Sequence, residues 1–136
     1  MNKQEVLDFL KTNPVSHTAT IEDSAPRVRA LRIYRADEDG IVLQVWKDKD
    51  VGRQLARNPE VELCFNNYSE GIQVRVRGRV EPVDDAAAKE QVLSDRPSLQ
   101  QFADQGHEIA LYRLRKGLAH VWTKEQNFTP KSFIEL

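Results

Sequence analysis

Two basic clusters lie a short, fixed distance apart in this chain, and together they have the chemistry to hold an anion. The first is Pro26-Arg27-Val28-Arg29-Ala30-Leu31-Arg32-Ile33; the second is Lys47-Asp48-Lys49-Asp50, followed by Asn58-Pro59. Arginine offers a planar fork of N–H donors and lysine a mobile point charge, and phosphate suits both. The second cluster runs directly into a segment with helical patterning, 50–57, whose first N–H groups have no partner within the helix. A helix N-terminus flanked by cations is an anion site by backbone dipole and side-chain charge together. The plainer alternative is a strand face whose Arg and Lys side chains are simply solvated, as most charge clusters are. Both readings stand at this point, but only the first requires the two clusters to converge on a helix start.

The elements that must position these residues are legible from periodicity. An opening helix spans 2–11, with Asn2 and Glu5 at capping-box spacing, Val6, Leu7 and Leu10 as its apolar stripe, and Asn13-Pro14 as its stop. From Val15 the period changes to two, which predicts a strand over 15–22 with Val15, His17, Ala19 and Ile21 on one face. A second strand covers 27–35, a loop runs Asp37–Gly40 with Asp-Gly at its end, and a third strand covers 41–46. Pairing those two strands about the loop sets Arg29 opposite Trp46 or Lys47, and Arg32 opposite Leu43 or Gln44. Further strands are expected at 61–66, 72–83, 109–115 and 118–123, with a short one at 133–136. Helical pieces are expected from Asp84 or Asp85 to 95 and over 98–103. Gly78 falls among the inward positions of the long strand, where a glycine marks a bulge or a barrel bend. Short strands with tight turns and a few small helices describe an α+β fold, an antiparallel six-stranded split β-barrel of Greek-key type with small flanking helices.

Composition narrows the function classes. The 136 residues, 40% hydrophobic and 30% charged, suit one soluble globular domain over 1–136 with a real core. The formal net charge is −1, so no global field draws in nucleic acid or an anionic membrane, and any anion binding is local. Cys64 is the only cysteine, which leaves no intrachain disulfide and no Cys-rich zinc site and fits a cytoplasmic location. No apolar run approaches the roughly 20 residues of a membrane span, and no apolar stretch marks a signal peptide.

Single reactive residues read as structural. His17 is expected as a satisfied barrel histidine, His107 as exposed in a polar turn, and His120 as part of a strand with Leu118 and Trp122. No histidine pair has ligand spacing, so no metal is expected. Cys64 suits packing better than nucleophilic attack, and Ser69 and Ser98 have no local triad. Arg75, Arg77 and Arg79 share one strand face, either solvated or in contact with a partner or ligand.

In this order and spacing the motifs resemble small members of the pyridoxamine 5'-phosphate oxidase-like superfamily, the FMN-binding split barrels. The likeness covers nearly the whole chain and includes Pro26-Arg27-Val28-Arg29, the Lys-rich turn, Arg57-Asn58-Pro59-Glu60-Val61-Glu62-Leu63, and Gln73-Val74-Arg75-Val76-Arg77-Gly78-Arg79-Val80. The resemblance implies FMN as cofactor and a homodimer with FMN at the subunit interface. It implies that Arg29, with Arg27, contacts the phosphate and that Ala30, Leu31 and Arg32 lie along the flavin. Gln44 and Val45 approach the ring or phosphate side, Lys47 and Lys49 complete the phosphate grip, Gln73 meets the flavin edge, and Trp122 or the C-terminal segment of the partner completes the site. The family's helix-start lysine falls at Val51, so Lys49 stands in for it. Two departures argue against pyridoxamine phosphate as substrate: the family's substrate lysine corresponds to Tyr34, and its C-terminal Arg-x-His element has no counterpart before Leu136. The resemblance therefore implies a flavin-dependent oxidoreductase for another small molecule, such as a nitro compound or a quinone. The alternative is a non-catalytic binding protein for FMN, a deazaflavin or haem. No side chain is singled out as catalytic.

Overall fold

A computed structural model describes residues 1–136. Helix α1 (Lys3–Thr12) opens on a complete capping box: the Asn2 side chain accepts from the Glu5 N–H at 2.9 Å, and Glu5 accepts from the Asn2 N–H at 2.7 Å. Its apolar stripe, Val6, Leu7, Phe9 and Leu10, is buried against the barrel. The strands are β1 (Val15–Glu22), β2 (Ala25–Arg32), β3 (Arg35–Asp37), β4 (Gly40–Trp46), β5 (Glu60–Asn67), β6 (Ile72–Pro82), β7 (Ile109–Leu114), β8 (Leu118–Thr123) and β9 (Ile134–Glu135). Helix α2 (Asp50–Arg57) joins β4 to β5. Helix α3 (Ala86–Asp95), a 3-10 turn (Pro97–Leu99) and α4 (Gln100–Asp104) join β6 to β7.

All strand pairs are antiparallel, in the order β2-β1-β5-β6-β7-β4-β3, with β8 pairing β6 and β9. This is the expected α+β split barrel, with nine strands where eight were expected around a six-stranded barrel. The additional one is β3, cut from the end of the expected second strand; β8 and β9, both expected, extend the sheet beyond β6. Strand β6 holds the barrel together. Ile72–Arg77 pair with β8, and Val80–Pro82 pair with β7. Gly78 sits at the change of partner and is a bend, not a bulge, because Val61↔Gly78 keeps the β5 register regular. A Cβ there would lie 2.7 Å from Leu114 Cδ1, so any larger residue would require the Leu114 side chain to move at the bend.

Two expectations are corrected. The expected second strand does not pair with β4 along its length. It breaks at Ile33–Tyr34; β3 alone pairs with β4, Arg35↔Val42, while β2 pairs only with β1, Thr18↔Arg29. Ile33 is buried in the core and its N–H donates to Pro14 O at 2.9 Å, so the chain is anchored where it turns from one layer to the other. The diverging edges of β2 and β4 leave the barrel split, and the gap becomes the groove described below. The second correction concerns β1, whose faces are the reverse of those expected. Ser16, Thr18 and Thr20 are buried, whereas Val15 and His17 are exposed. Alternation reveals two faces but not which one is inside. Here the hydroxyls satisfy one another: Ser16 Oγ and Thr18 Oγ1 are 3.0 Å apart, and Thr20 Oγ1 donates to Gln54 Oε1 at 2.6 Å.

The core is one cluster that includes Phe65, Leu43, Leu63, Val74 and Val76 and the inner face of α1. A smaller cluster, Val92, Ile109 and Leu111, fastens α3 to β7. Asp85 caps α3, accepting from the Ala87 N–H at 3.0 Å. No helix is long and apolar enough to cross a membrane.

Candidate functional site

The gap between the edge of β2, the end of β4 and the start of α2 is an open groove of about 920 Å³, within the size range of small-molecule sites. Arg27, Arg29, Ala30, Leu31, Arg32, Gln44, Val45 and Lys49, all expected from sequence as site residues, line it. The structure brings them together by the split, not by the long hairpin expected.

Arg29 is the most strongly positioned of these side chains. Its Nη1 donates to Thr18 O at 3.2 Å and to Thr20 Oγ1 at 2.6 Å, and its Nη2 donates to Gln54 Oε1 at 2.6 Å. Gln54 is itself buried and donates through Nε2 to Glu22 Oε2 at 2.9 Å. A guanidinium has five N–H donors. Three are committed here, which leaves Nε–H and one Nη2–H for a ligand. Burial pulls the Arg29 pKa down, and the Asp50 carboxylate opposes that shift. The group stays charged regardless, since arginine does not lose its proton in proteins.

Helix α2 begins beside this guanidinium. Lys49 is its N-cap and its side chain caps nothing, and Gln54 and Leu55 anchor the inward face. Gly52 sets how near the helix start comes to β4. A Cβ on Gly52 would stand 2.2 Å from Trp46 O and 2.9 Å from Lys47 O, so any side chain would push α2 off the strand. The charge here is mixed. Asp50 occupies the first turn and pairs with Arg53 at 2.6 Å, and the next residue, Val51, is buried and apolar.

At the other end of the groove, Arg32 and Arg96 face each other. Burial and the nearby Arg32 charge both lower the Arg96 pKa. Arg96 Nη2 donates to Ile33 O at 2.9 Å, and its guanidinium lies 5.4 Å from the centroid of the Tyr34 ring. The Tyr34 hydroxyl donates to Asp95 and is pushed up by burial and by that bond. The Tyr34 position is thus committed to holding the end of α3.

Two expected site residues, Lys47 and Gln73, lie outside the groove of their own chain, as does Trp122, which was expected to act from the partner. Lys47 pairs with Glu108 at 2.9 Å, outside the groove. Gln73 and Trp122 are cross-strand neighbours on β6 and β8. They sit on the outer face of the sheet, where Gln73 Nε2 donates to Asn66 Oδ1 at 3.0 Å and Trp122 Nε1 to Asn127 Oδ1 at 2.9 Å. Sequence reading also missed groove residues. Gln54 carried a signal, its place on the inward stripe of α2. Arg96 carried none, since only the tertiary fold brings α3 to β2. His107, expected as exposed in a polar turn, is exposed, and its Nδ1 lies 2.6 Å from Asp48 Oδ2. No cluster of potential metal ligands is present.

The groove fits a flavin mononucleotide in outline. A pre-oriented arginine and Lys49 flank a helix start at one end, and Leu31, Val45 and Trp46 supply an apolar wall. Asp50 and Val51 weaken the fit at the phosphate end.

Comparison with known proteins identifies the family. The family model described as pyridoxamine 5'-phosphate oxidase matches residues 3–121. A pyridoxine/pyridoxamine 5'-phosphate oxidase from Bradyrhizobium sp. is 44% identical over 71 residues, 52% of this chain and 33% of that protein. The chain spans about a third of the length of the curated relatives it matches. Among solved structures, a NimC/NimA family protein from Clostridium acetobutylicum superposes with a TM-score of 0.77 at 27% identity, covering 98% of this chain and 91% of that one. A protein from the same organism, related to general stress protein 26 of Bacillus subtilis, has a TM-score of 0.75 at 14% identity, covering 98% and 93%; it shares the fold.

Proposed function

The chain belongs to the pyridoxamine 5'-phosphate oxidase family, and from that premise we propose that it is an FMN-binding oxidoreductase acting on a small molecule other than pyridoxamine phosphate. The observation that carries this reading is Arg29: a guanidinium held from behind by Thr18, Thr20 and Gln54, with donors left over, beside an uncapped helix start. Arg29 and Lys49 would hold the phosphate. Ala30, Leu31, Gln44 and Val45 would line the flavin, and Arg32 with Arg96 would face an anionic group at the far end. A bound flavin supplies the electron-transfer chemistry; the protein supplies binding and orientation. Tyr34 supports a substrate other than pyridoxamine phosphate, because its hydroxyl is spent on Asp95.

The same reading makes the protein a homodimer. The outer face of the β2-β1-β5-β6-β8 sheet exposes Val28 at 68% and Val15 at 47%, and Arg75 Nε there is buried without a hydrogen-bond partner. A second copy laid on this face would cover the apolar residues and bring Gln73 and Trp122 of the partner subunit to the groove. Val28→Glu should then turn a dimer into a monomer in analytical ultracentrifugation; a wild-type monomer at micromolar concentration would overturn this arrangement. Cys64, the only cysteine, accords with a cytoplasmic location.

The visible spectrum of the purified protein, followed by FMN titration, tests the central reading. A flavin absorbance, or saturable quenching of added FMN, is expected; neither appearing would sink it. Reduction of the bound flavin by NAD(P)H and reoxidation by an organic acceptor is the expected sign of an enzyme. A flavin that stays oxidised under every donor would mark a binding protein instead.

A further inference from the structure

A small cavity of about 120 Å³ lies between α3 and the β3-β4-β7 layer, and it shares no lining residue with the groove. Val42, Leu111 and Ala88 give it apolar walls, Arg35 and Arg113 give it charge, and no acidic side chain lines it. The sheet register puts both arginines on one face. Each pairs with Val42, Arg35 from β3 and Arg113 from β7. They therefore flank it across two strand spacings, about 9–10 Å at the backbone, a span that two long side chains can close on one ligand. Arg113 Nε is buried and makes no hydrogen bond. The carboxylate opposite Arg113 on β6, Glu81, pairs instead with Arg115 at 2.9 Å. Arg35 Nε has only Asp37, at 3.9 Å. The side-chain donors of Tyr34 and Gln91, which also line the cavity, are both spent on Asp95. A buried donor without a partner costs free energy that a bound acceptor recovers. The Nε–H and the neighbouring Nη–H of a guanidinium form the fork that a carboxylate or phosphate accepts with two oxygens.

We propose that this cavity is a site for a small oxyanion, a phosphate or a carboxylate, which bridges Arg113 and Arg35 and fastens α3 to the sheet. Its size sets the class of ligand: about 120 Å³ is well below the roughly 300 Å³ at which pockets for larger organic molecules begin. The effect of the ion reaches the groove. Helix α3 ends at Asp95, which holds the Tyr34 hydroxyl, and the next residue, Arg96, lines the far end of the groove. An anion that pins α3 steadies that end. The site is independent of the flavin reading, because no groove residue takes part in it.

The experiment is thermal melting of the purified protein at neutral pH in millimolar sodium chloride, acetate or phosphate at equal ionic strength. Phosphate or acetate is expected to raise the melting temperature by about 2–5 °C over chloride once its concentration is well above its dissociation constant. Which of the two does so separates a tetrahedral ion from a carboxylate. Arg113→Gln and Arg35→Gln should each abolish the increment, and Arg29→Ala should retain it. Arg35 is exposed, so Arg35→Gln carries the test if Arg113→Gln does not fold. No increment in the wild type would overturn the site. So would an increment that survives either of the two glutamine substitutions, the mark of a general salt effect on burial. An increment lost in Arg29→Ala would overturn it as well, by placing the ion in the groove.

Discussion

Replacing Arg29 with alanine should damage stability and affinity separately, and the structure allows each to be sized. The substitution removes three hydrogen bonds, to Thr18 O, Thr20 Oγ1 and Gln54 Oε1. Gln54 Oε1 keeps its bond from Thr20, and Gln54 Nε2 keeps Glu22, so no buried amide is orphaned. At about 1 kcal/mol for each partly solvated bond, the loss is roughly 2–3 kcal/mol, which a domain of ordinary stability, about 5–15 kcal/mol, survives folded. Affinity should fall by the worth of the two uncommitted donors on a phosphate, about 1.5–3 kcal/mol, or roughly 10- to 100-fold in Kd. Urea unfolding at constant slope reports the first quantity, and quenching of flavin fluorescence the second. Thr20→Val is the control: it removes the hydroxyl that orients Arg29 but keeps the guanidinium. It should lower stability with little loss of affinity. If Arg29→Ala binds like the wild type, then Arg29 is a structural arginine and the phosphate is held elsewhere.

Asp50→Asn removes an exposed carboxylate from the proposed phosphate end and should tighten FMN a few-fold, while costing α2 about 0.3–1 kcal/mol of favourable dipole interaction; unchanged binding in low salt would show that the phosphate lies away from α2. Gly52→Ala should destabilise the fold by about 3 kcal/mol, the upper range for overpacking, because its Cβ meets the Trp46 carbonyl; a melting temperature equal to wild type would contradict that contact. Hydrogen bonds involving His107, Tyr34 and Lys47 hold the Asp48, Asp95 and Glu108 carboxyls below their ordinary range. Their contribution is therefore complete above the unfolded-chain values near about pH 4 and is lost as pH falls through the lower folded values. The melting temperature should lose nothing to these groups between pH 7 and 5 and should drop below about pH 4. The triple change Asp48→Asn, Asp95→Asn and Glu108→Gln should flatten the acid limb, and an identical limb would mean that the pairs contribute nothing.

Much of the fold was open to sequence reading because the signals are local. The Asn2–Glu5 capping box, the Asn13-Pro14 and Asn58-Pro59 stops, and the alternation of Val74 and Val76 with Arg75 and Arg77 each depend on residues within a few positions of one another. Most of the candidate groove residues were legible for a similar reason, since they come from two short runs, 27–32 and 44–49. The orientation of β1 was not legible. Alternation is symmetric between faces, and hydroxyls that bond to one another and to Gln54 can be inside as readily as Val15. The break at Ile33–Tyr34 was not legible either, because it follows from Ile33 entering the core while Tyr34 reaches Asp95 on a distant helix.

The sequence by itself determined which side chains were available to bind an anion, the helix start they would surround, and the family to which the motifs belong. Tertiary structure decided that these residues meet across a split instead of along a hairpin. It turned Arg29 toward the groove by holding it from behind with Gln54, and it sent Lys47 to Glu108 and Gln73 and Trp122 to the opposite face. It also set Phe102 and His107 beside Trp46. Those outcomes depend on packing between segments far apart in the chain, where burial and hydrogen-bond satisfaction of the whole barrel outweigh any local pattern.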